Sequence, residues 1–314
     1  MKVLVAPTVK VLVALCCTAG LASASLGDRF EMNHFVWAAQ PLDVAGAKAN
    51  GFLPVGGGDC GKGLGIAYAK DGMPSVNHST TLYYTAGGQF SGYGIDVFGP
   101  ETPALKKMIA LGYYERKAAG WHLALGFREG DVCDPKATFA EPVGTGVVIN
   151  PRTQAKNVPL TAKGAAKDLY HEGACIEGMG THWVKDLKSK PEISWVGGAV
   201  EPVVPMYHVE TGELRSIFVT SPSAEAIVAG NGWEGFPLPN EAMCWNFCEK
   251  DCPFTGTVEW RVSHMYFKDH AEASCPADWT CLDSPPAPAP GIKCCANGYT
   301  PTEAELRRML GSKQ

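Results

Sequence analysis

Cys60-Gly61-Lys62-Gly63-Leu64-Gly65-Ile66-Ala67-Tyr68 is matched by Cys175-Ile176-Glu177-Gly178-Met179-Gly180-Thr181-His182-Trp183. The shared pattern, C-x-x-G-x-G-x-x-aromatic, decides how the rest of the chain reads. The landmarks that follow each copy come in the same order. An apolar run with Tyr84 breaks at Gly88-Gln89 and resumes as Phe90 to Phe98, while the run with Tyr207 breaks at Gly212-Glu213 and resumes as Leu214 to Val219. Pro100 and Pro222 come next, and then Trp121…Phe127-Arg128-Glu129…Cys133 is echoed by Trp260…Phe267-Lys268-Asp269…Cys275. Two copies of one unit predict two similar sub-structures with an interface or cleft between them.

Working outward, residues 25–58 read as a lead-in, 60–133 as the first unit, 134–173 as a connection and 175–275 as the second unit. Thr80–Tyr84 and Phe90–Phe98, rich in aromatic and β-branched residues around Ala86-Gly87-Gly88-Gln89, form a hairpin signature. Glu101–Leu111 reads as a helix with Gly112 just past its end, and His122–Phe127 as a strand. The connection carries a strand at Gly146–Ile149 and a helical stretch near Thr161–His171. The fold class is therefore mainly β with a few short helices (α+β), built as two disulfide-stabilised pseudo-repeats of a β-hairpin-plus-strand unit. The 36 glycines and 23 prolines agree with short strands and many turns.

The first 24 residues have the form of a secretory signal: Lys2 and Lys10, an apolar run from Val11 to Ala22, and the small-x-small site Ala22-Ser23-Ala24. That run is too short for a membrane anchor, so no transmembrane segment is expected in the mature chain. Removing Cys16 and Cys17 from the 12 cysteines leaves ten, an even number suited to a disulfide framework in an exported protein. Each unit opens and closes with a cysteine, which predicts Cys60–Cys133 and Cys175–Cys275. In the chain-entropy account, loops of about 70–100 residues are each worth roughly 4–5 kcal/mol. Cys244, Cys248, Cys252, Cys281, Cys294 and Cys295 are expected to pair among themselves. The first three have spacings that zinc could use, but in an oxidising compartment disulfides are the favoured fate. Residues 276–314 hold the extended linker Pro285-Pro286-Ala287-Pro288-Ala289-Pro290 and a tail helix capped by Thr300, Pro301 and Glu303. Asn77-His78-Ser79 is an N-glycosylation sequon.

The net charge of −5 gives no electrostatic reason to expect a nucleic-acid partner, and the partner is read as a small ligand or an extracellular molecule. No G-x-S-x-G elbow, H-E-x-x-H helix, P-loop or EF-hand loop occurs, and Gly63-x-Gly65 does not open a dinucleotide-binding helix. Three histidines break the symmetry between the copies. His182 stands where the first copy has Ala67, His208 where it has Thr85 or Ala86, and His264 where it has Ala124 or Leu125. Imidazoles on three neighbouring strands would suit a divalent metal, zinc or copper, or acid–base work, with Glu201 and Glu259 near in sequence. The competing account is three histidines that satisfy local hydrogen bonds. The leading functional expectation is a secreted binding protein with a metal or small-ligand site in the second unit; an enzyme using the same histidines, or a structural or cell-surface interaction protein, are the rivals.

Gly178-Met179-Gly180-Thr181-His182-Trp183, then Val203-Val204-Pro205-Met206-Tyr207-His208 and a Gly-Glu-Leu hairpin, resemble a poorly characterised family of exported proteins. Its bacterial members look like a stress sigma-factor-controlled protein of a thermophile. Tyr83-Tyr84-Thr85-Ala86-Gly87-Gly88-Gln89, Gly94-Ile95-Asp96-Val97 and Gly126-Phe127-Arg128 look like the cysteine-bearing eukaryotic branch, so the similarity covers most of residues 60–275. The bacterial pattern has a His-rich strand where this chain has His122 alone, with Gly126 in the place of a second histidine. The resemblance implies a β-rich fold and secretion, and brings no activity. If the signal and cysteine readings hold, N-terminal sequencing of protein expressed for secretion should begin at Ser25. A thiol titration in denaturant should then find no free cysteine.

Overall fold

The computed structural model describes residues 25–33, 37–75, 77–117, 120–153, 155–176, 178–185, 201–222, 232–234, 260–269 and 275. Sixteen strands and three short helices lie within them. The strands are β1 (Glu31–Asn33), β2 (Trp37–Ala39), β3 (Phe52–Pro54), β4 (Cys60–Gly61), β5 (Gly65–Lys70), β6 (Thr80–Tyr84), β7 (Phe90–Val97) and β8 (Glu115–Arg116). They continue with β9 (Trp121–Gly126), β10 (Val147–Ile149), β11 (Lys156–Val158), β12 (Tyr170–Ile176), β13 (Gly180–Lys185), β14 (Val203–Tyr207), β15 (Leu214–Pro222) and β16 (Trp260–Tyr266). The helices are α1 (Val44–Ala49), α2 (Pro103–Ala110) and α3 (Ala162–Lys167). The protein is mainly β, as the turn and strand signals predict, and both unit-closing disulfides, Cys60–Cys133 and Cys175–Cys275, are formed. The signal segment, Glu259, the other six cysteines, the proline-rich linker and the tail helix lie outside the described residues. Among the described residues, no helix is long and apolar enough to cross a membrane.

Two sheets carry the architecture. One runs β11-β10-β9-β7-β6-β5-β3, with β4 on β5 and β8 on β9; the other runs β12-β13-β14-β15-β16-β1-β2. Every pairing within them is antiparallel. The central four strands of the two sheets have the same hydrogen-bond register. A bulge interrupts β6–β7 between Tyr83 and Tyr84, and β14–β15 between Met206 and Tyr207. Gly65 and Gly180, both at positive φ, open the equivalent strands beneath the Tyr84 and Tyr207 carbonyls, where a Cβ would stand 2.2 and 2.4 Å from those oxygens. Only glycine tolerates both that backbone conformation and that approach.

The correspondence reaches further upstream than the cysteines suggest. The stretches expected as lead-in and connection carry a hairpin and a short helix each. Pro41-Leu42-Asp43 precedes α1 and Pro159-Leu160-Thr161 precedes α3, with the Asp43 and Thr161 side chains accepting from Gly46 N–H and Gly164 N–H at the helix starts. The Tyr84 hydroxyl donates to Pro41 C=O at 2.9 Å, and that of Tyr207 to Pro159 C=O at 2.7 Å. α3 stops earlier than the sequence suggests, because Asp168 leaves the helix and Leu169 takes a φ of 63° before β12 begins. α2 likewise begins at Pro103 rather than Glu101, capped by the Thr102 hydroxyl accepting from Leu105 N–H.

The hairpins are exchanged. β1–β2, which leads into the first unit, extends the sheet of the second through β16; β10–β11, which leads into the second unit, extends the sheet of the first through β9. Phe30, next to β1, lies within 4.8 Å of Phe90, 5.7 Å of Phe127 and 6.2 Å of Phe267 between ring centroids. These rings join the inner faces of both sheets in one core. The ladders also correct one landmark. Trp121 pairs with Val97 and Arg261 with Ser221, so Trp121 is level with Arg261, and Trp260 lies one residue earlier. Trp121 is half-buried against Arg116, whereas Trp260 is fully buried.

Gly65→Ala and Gly180→Ala should each lower unfolding stability by about 3 kcal/mol or more in denaturant titrations, since backbone must move to admit the methyl. Gly146→Ala, where a Cβ meets nothing within 4 Å and φ is not positive, should be close to neutral.

Candidate functional site

The three symmetry-breaking histidines do not assemble. His182 on β13 and His264 on β16 share the outer face of the second sheet, but the Phe218 ring on β15 stands between them. Its centroid is 5.7 Å from the ring of His182 and 5.2 Å from that of His264. Their own strands are three places apart, about 14 Å at the usual strand spacing. His208 is at the turn after β14, where its Nδ1 accepts from Thr211 N–H at 3.2 Å. A shared zinc or copper ion would need nitrogens within about 3–4 Å of one another. The metal expectation for His182, His208 and His264 is therefore corrected by the strand spacing and the intervening ring. Among the described residues, no group of three or more His, Cys, Asp or Glu side chains could hold a metal ion.

Each of these histidines has a local role instead. His264 Nδ1 is hydrogen-bonded to the Glu234 carboxylate, and both side chains are buried. His182 is fully buried; its Nδ1 bonds to Ala174 C=O at 3.1 Å, and its Nε2 has no hydrogen-bond partner among the described residues. Burial, helped by the nearby His264, pushes its pKa down to about 3. Glu201 does not join a histidine. It accepts hydrogen bonds from Tyr170 and Lys156, and Lys156 in turn donates to the Tyr113 hydroxyl at 2.7 Å. Lys156 belongs to β11 and Tyr170 to β12, so this carboxylate clasps edge strands of the two different sheets.

The chemistry gathers on the first unit. On the outer face of its sheet, Asp96 on β7 is directly opposite His122 on β9, and Tyr83 on β6 lies one strand further over. The Tyr83 hydroxyl is 2.7 Å from His122 Nε2, and His122 Nδ1 is 3.2 Å from Asp96 Oδ1. A carboxylate can only accept, so it selects the tautomer with the proton on Nδ1. Nε2 then accepts from the phenol. Gly94 makes room for this chain: a Cβ there would meet the His122 ring at 2.5 Å and the Tyr83 ring at 3.1 Å. Burial pushes the Tyr83 phenol up, against a downward pull from the charge of Arg152.

These three side chains form the floor of a cleft of about 570 Å³. Val55, Ala67, Met73 and Pro74 line its apolar wall, and Asp59, Lys117 and Arg152 bring charge to it. Thr81 Oγ1 and Asp96 Oδ2, both buried in the floor, have no hydrogen-bond partner among the described residues. Lys117 is 3.6 Å from Glu115, whereas Arg152 has no ion pair among the described residues. Among the described residues, the second unit has nothing similar. By register its counterparts of Tyr83, Asp96 and His122 are Met206, Thr220 and Val262, and Phe218 fills the place of Gly94. Attention to residues gained by the second copy hides this site; the same comparison made in the other direction picks out Tyr83, Asp96 and His122.

Set against protein-family models, curated proteins and solved structures, the chain matches none. The functional reading therefore rests on the site.

The depressed His182 pKa makes acid sensitivity a test of its burial. The unfolded chain takes up a proton near the ordinary histidine pKa of about 6.5, while the folded protein does so only near 3. Stability from the neutral ring is thus present above pH 6.5 and is lost as pH falls towards 3. The slope approaches about 1.4 kcal/mol per pH unit within that window. His182→Leu should flatten this part of a stability-against-pH curve.

Proposed function

We propose that this is a secreted small-ligand-binding protein whose working site is the cleft of the first unit. The observation that carries the proposal is that cleft itself. It couples a buried Tyr83–His122–Asp96 chain to an apolar wall and a guanidinium with no ion pair among the described residues, in a volume within the ordinary range for small-molecule sites. The two disulfides and the sequence of residues 1–24 support an extracellular location. Asn77 lies exposed in the tight turn between Ser75 and His78, as a glycan acceptor requires. No metal takes part in this reading.

The order phenol–imidazole–carboxylate favours a second reading, an enzyme that moves a proton through His122, because a base oriented by a third group is how hydroxyls are activated. The two readings part on turnover: a binding protein returns its ligand unchanged.

Ala67 sits on the cleft wall, and Ala67→Phe should fill it while leaving the core side of the sheet intact. A thermal-shift screen of small organic compounds should yield ligands that raise the Tm of the natural protein. With Ala67→Phe those shifts should fall by at least half, while the Tm without ligand changes by only a few degrees. Ligands that stabilise the variant as well as the natural protein would place binding elsewhere and end the proposal. Conversion of a bound compound, lost in His122→Asn with folding retained, would move the protein to the enzyme reading.

A further inference from the structure

The charge and hydrogen-bond polarity of the cleft specify more than its volume does. Arg152 lies across Gly61, the residue after the disulfide-bonded Cys60. A Cβ on Gly61 would be 1.9 Å from the Arg152 Nη2, so the absence of a side chain seats the guanidinium against backbone. With no ion pair among the described residues, Arg152 is a planar two-pronged donor available to an incoming acid. Asp59 and Lys117 line the same cleft, and Lys117 is already balanced by Glu115. Among the described residues, Arg152 is the cation of this cleft that has no carboxylate partner.

At the floor the polarity is reversed. With the Asp96 carboxylate 3.2 Å from Nδ1 favouring the proton on that nitrogen, the Tyr83 hydroxyl donates to His122 Nε2 at 2.7 Å. The phenolic oxygen thus has only lone pairs left to offer, and it must accept rather than donate. The same cleft is lined by Val55, Ala67, Met73 and Pro74, which suit a hydrocarbon or aromatic body; Met73, 69% exposed, can settle against a ring.

Building on the binding reading above, we infer that the ligand is a hydroxylated carboxylic acid with an apolar body. Its carboxylate pairs with Arg152 and its hydroxyl donates to the oxygen of Tyr83. A simple fatty acid would leave the floor unmet. A neutral phenol or sugar would leave Arg152 unmet.

Calorimetry on the whole protein with three related probes tests this directly. 3-(4-Hydroxyphenyl)propionate carries acid, hydroxyl and ring; 3-phenylpropionate lacks the hydroxyl; 4-ethylphenol lacks the acid. The first should bind at least tenfold more tightly than either of the others, and its affinity should fall as salt is raised. Arg152→Ala should erase the advantage over 4-ethylphenol, and Arg152→Lys should restore only part of it, because an ammonium cannot grip a carboxylate with two parallel bonds. Tyr83→Phe should erase the advantage over 3-phenylpropionate and leave the dependence on Arg152 in place. Equal binding of the neutral phenol, acid binding that survives Arg152→Ala, or failure of all three probes would overturn the assignment of ligand class. If other compounds still bind in a manner blocked by Ala67→Phe, the cleft stands as the site and only the ligand class is wrong. If nothing binds in the cleft, both fail.

Discussion

The carbonyl oxygen of Phe127 occupies the space that a side chain on Gly144 would need, 2.0 Å from the position of its Cβ. The carbonyl of Phe267 does the same to Gly27, at 1.8 Å. These two contacts are the crossing points of the molecule. At each, the chain entering a hairpin passes against the end of the strand, β16 or β9, with which that hairpin pairs, too close for any side chain. Everything else follows from the crossing: β1 can reach β16, β10 can reach β9, and Phe30 is delivered into the ring cluster where the two sheets meet. Backbone contact of this kind leaves no slack. The two halves of the core are held in one packing arrangement, and the outer faces are free to diverge.

Divergence of those faces is what separates the two units chemically. The first keeps Ala67, Gly92, Gly94 and Ala124 on its outer surface, small residues that leave a hollow. The second places His182, Ser216, Phe218 and His264 at the matched positions and buries all four. Buried polar groups cost free energy unless they are paired. His264 meets that demand with Glu234, and His182 meets it in part by staying neutral. One scaffold thus carries an open polar floor on one side and a packed, hydrogen-bonded face on the other.

Much of the scaffold was legible because its constraints act on single residues. Gly63 and Gly178 take positive φ, as do Gly65 and Gly180, so the C-x-x-G-x-G pattern records backbone conformation directly. The hairpins around Tyr84 and Tyr207 and both unit-closing disulfides follow from the same landmarks. The hairpin exchange left a fainter trace. Pro-Leu-Asp and Pro-Leu-Thr before α1 and α3 share only a cap and a turn, and nothing in one dimension says which sheet a hairpin will join. The Trp landmarks misled by one residue, because a large ring is conspicuous in a sequence whether it faces the core or solvent. The cleft escaped notice for a different reason. Asp96 is opposite His122, but Tyr83 is opposite Gly92, four residues along β7, and the His122 ring reaches it diagonally over Gly94, so the three become neighbours only when register is known.

The exchanged hairpin also has a consequence for the order in which the protein can come together. Strand β1 must wait for β16, more than 220 residues later in the chain, so the first described strand is completed by the last. Such pairing is non-local in the extreme, and topologies rich in it fold slowly because the loop must close before any contact repays it. A ribosome releasing this chain at its usual pace would present an incomplete second sheet until Trp260–Tyr266 had emerged. The second sheet therefore stays open on its β16 side until the last described strand is in place, which makes its closure a late event in folding.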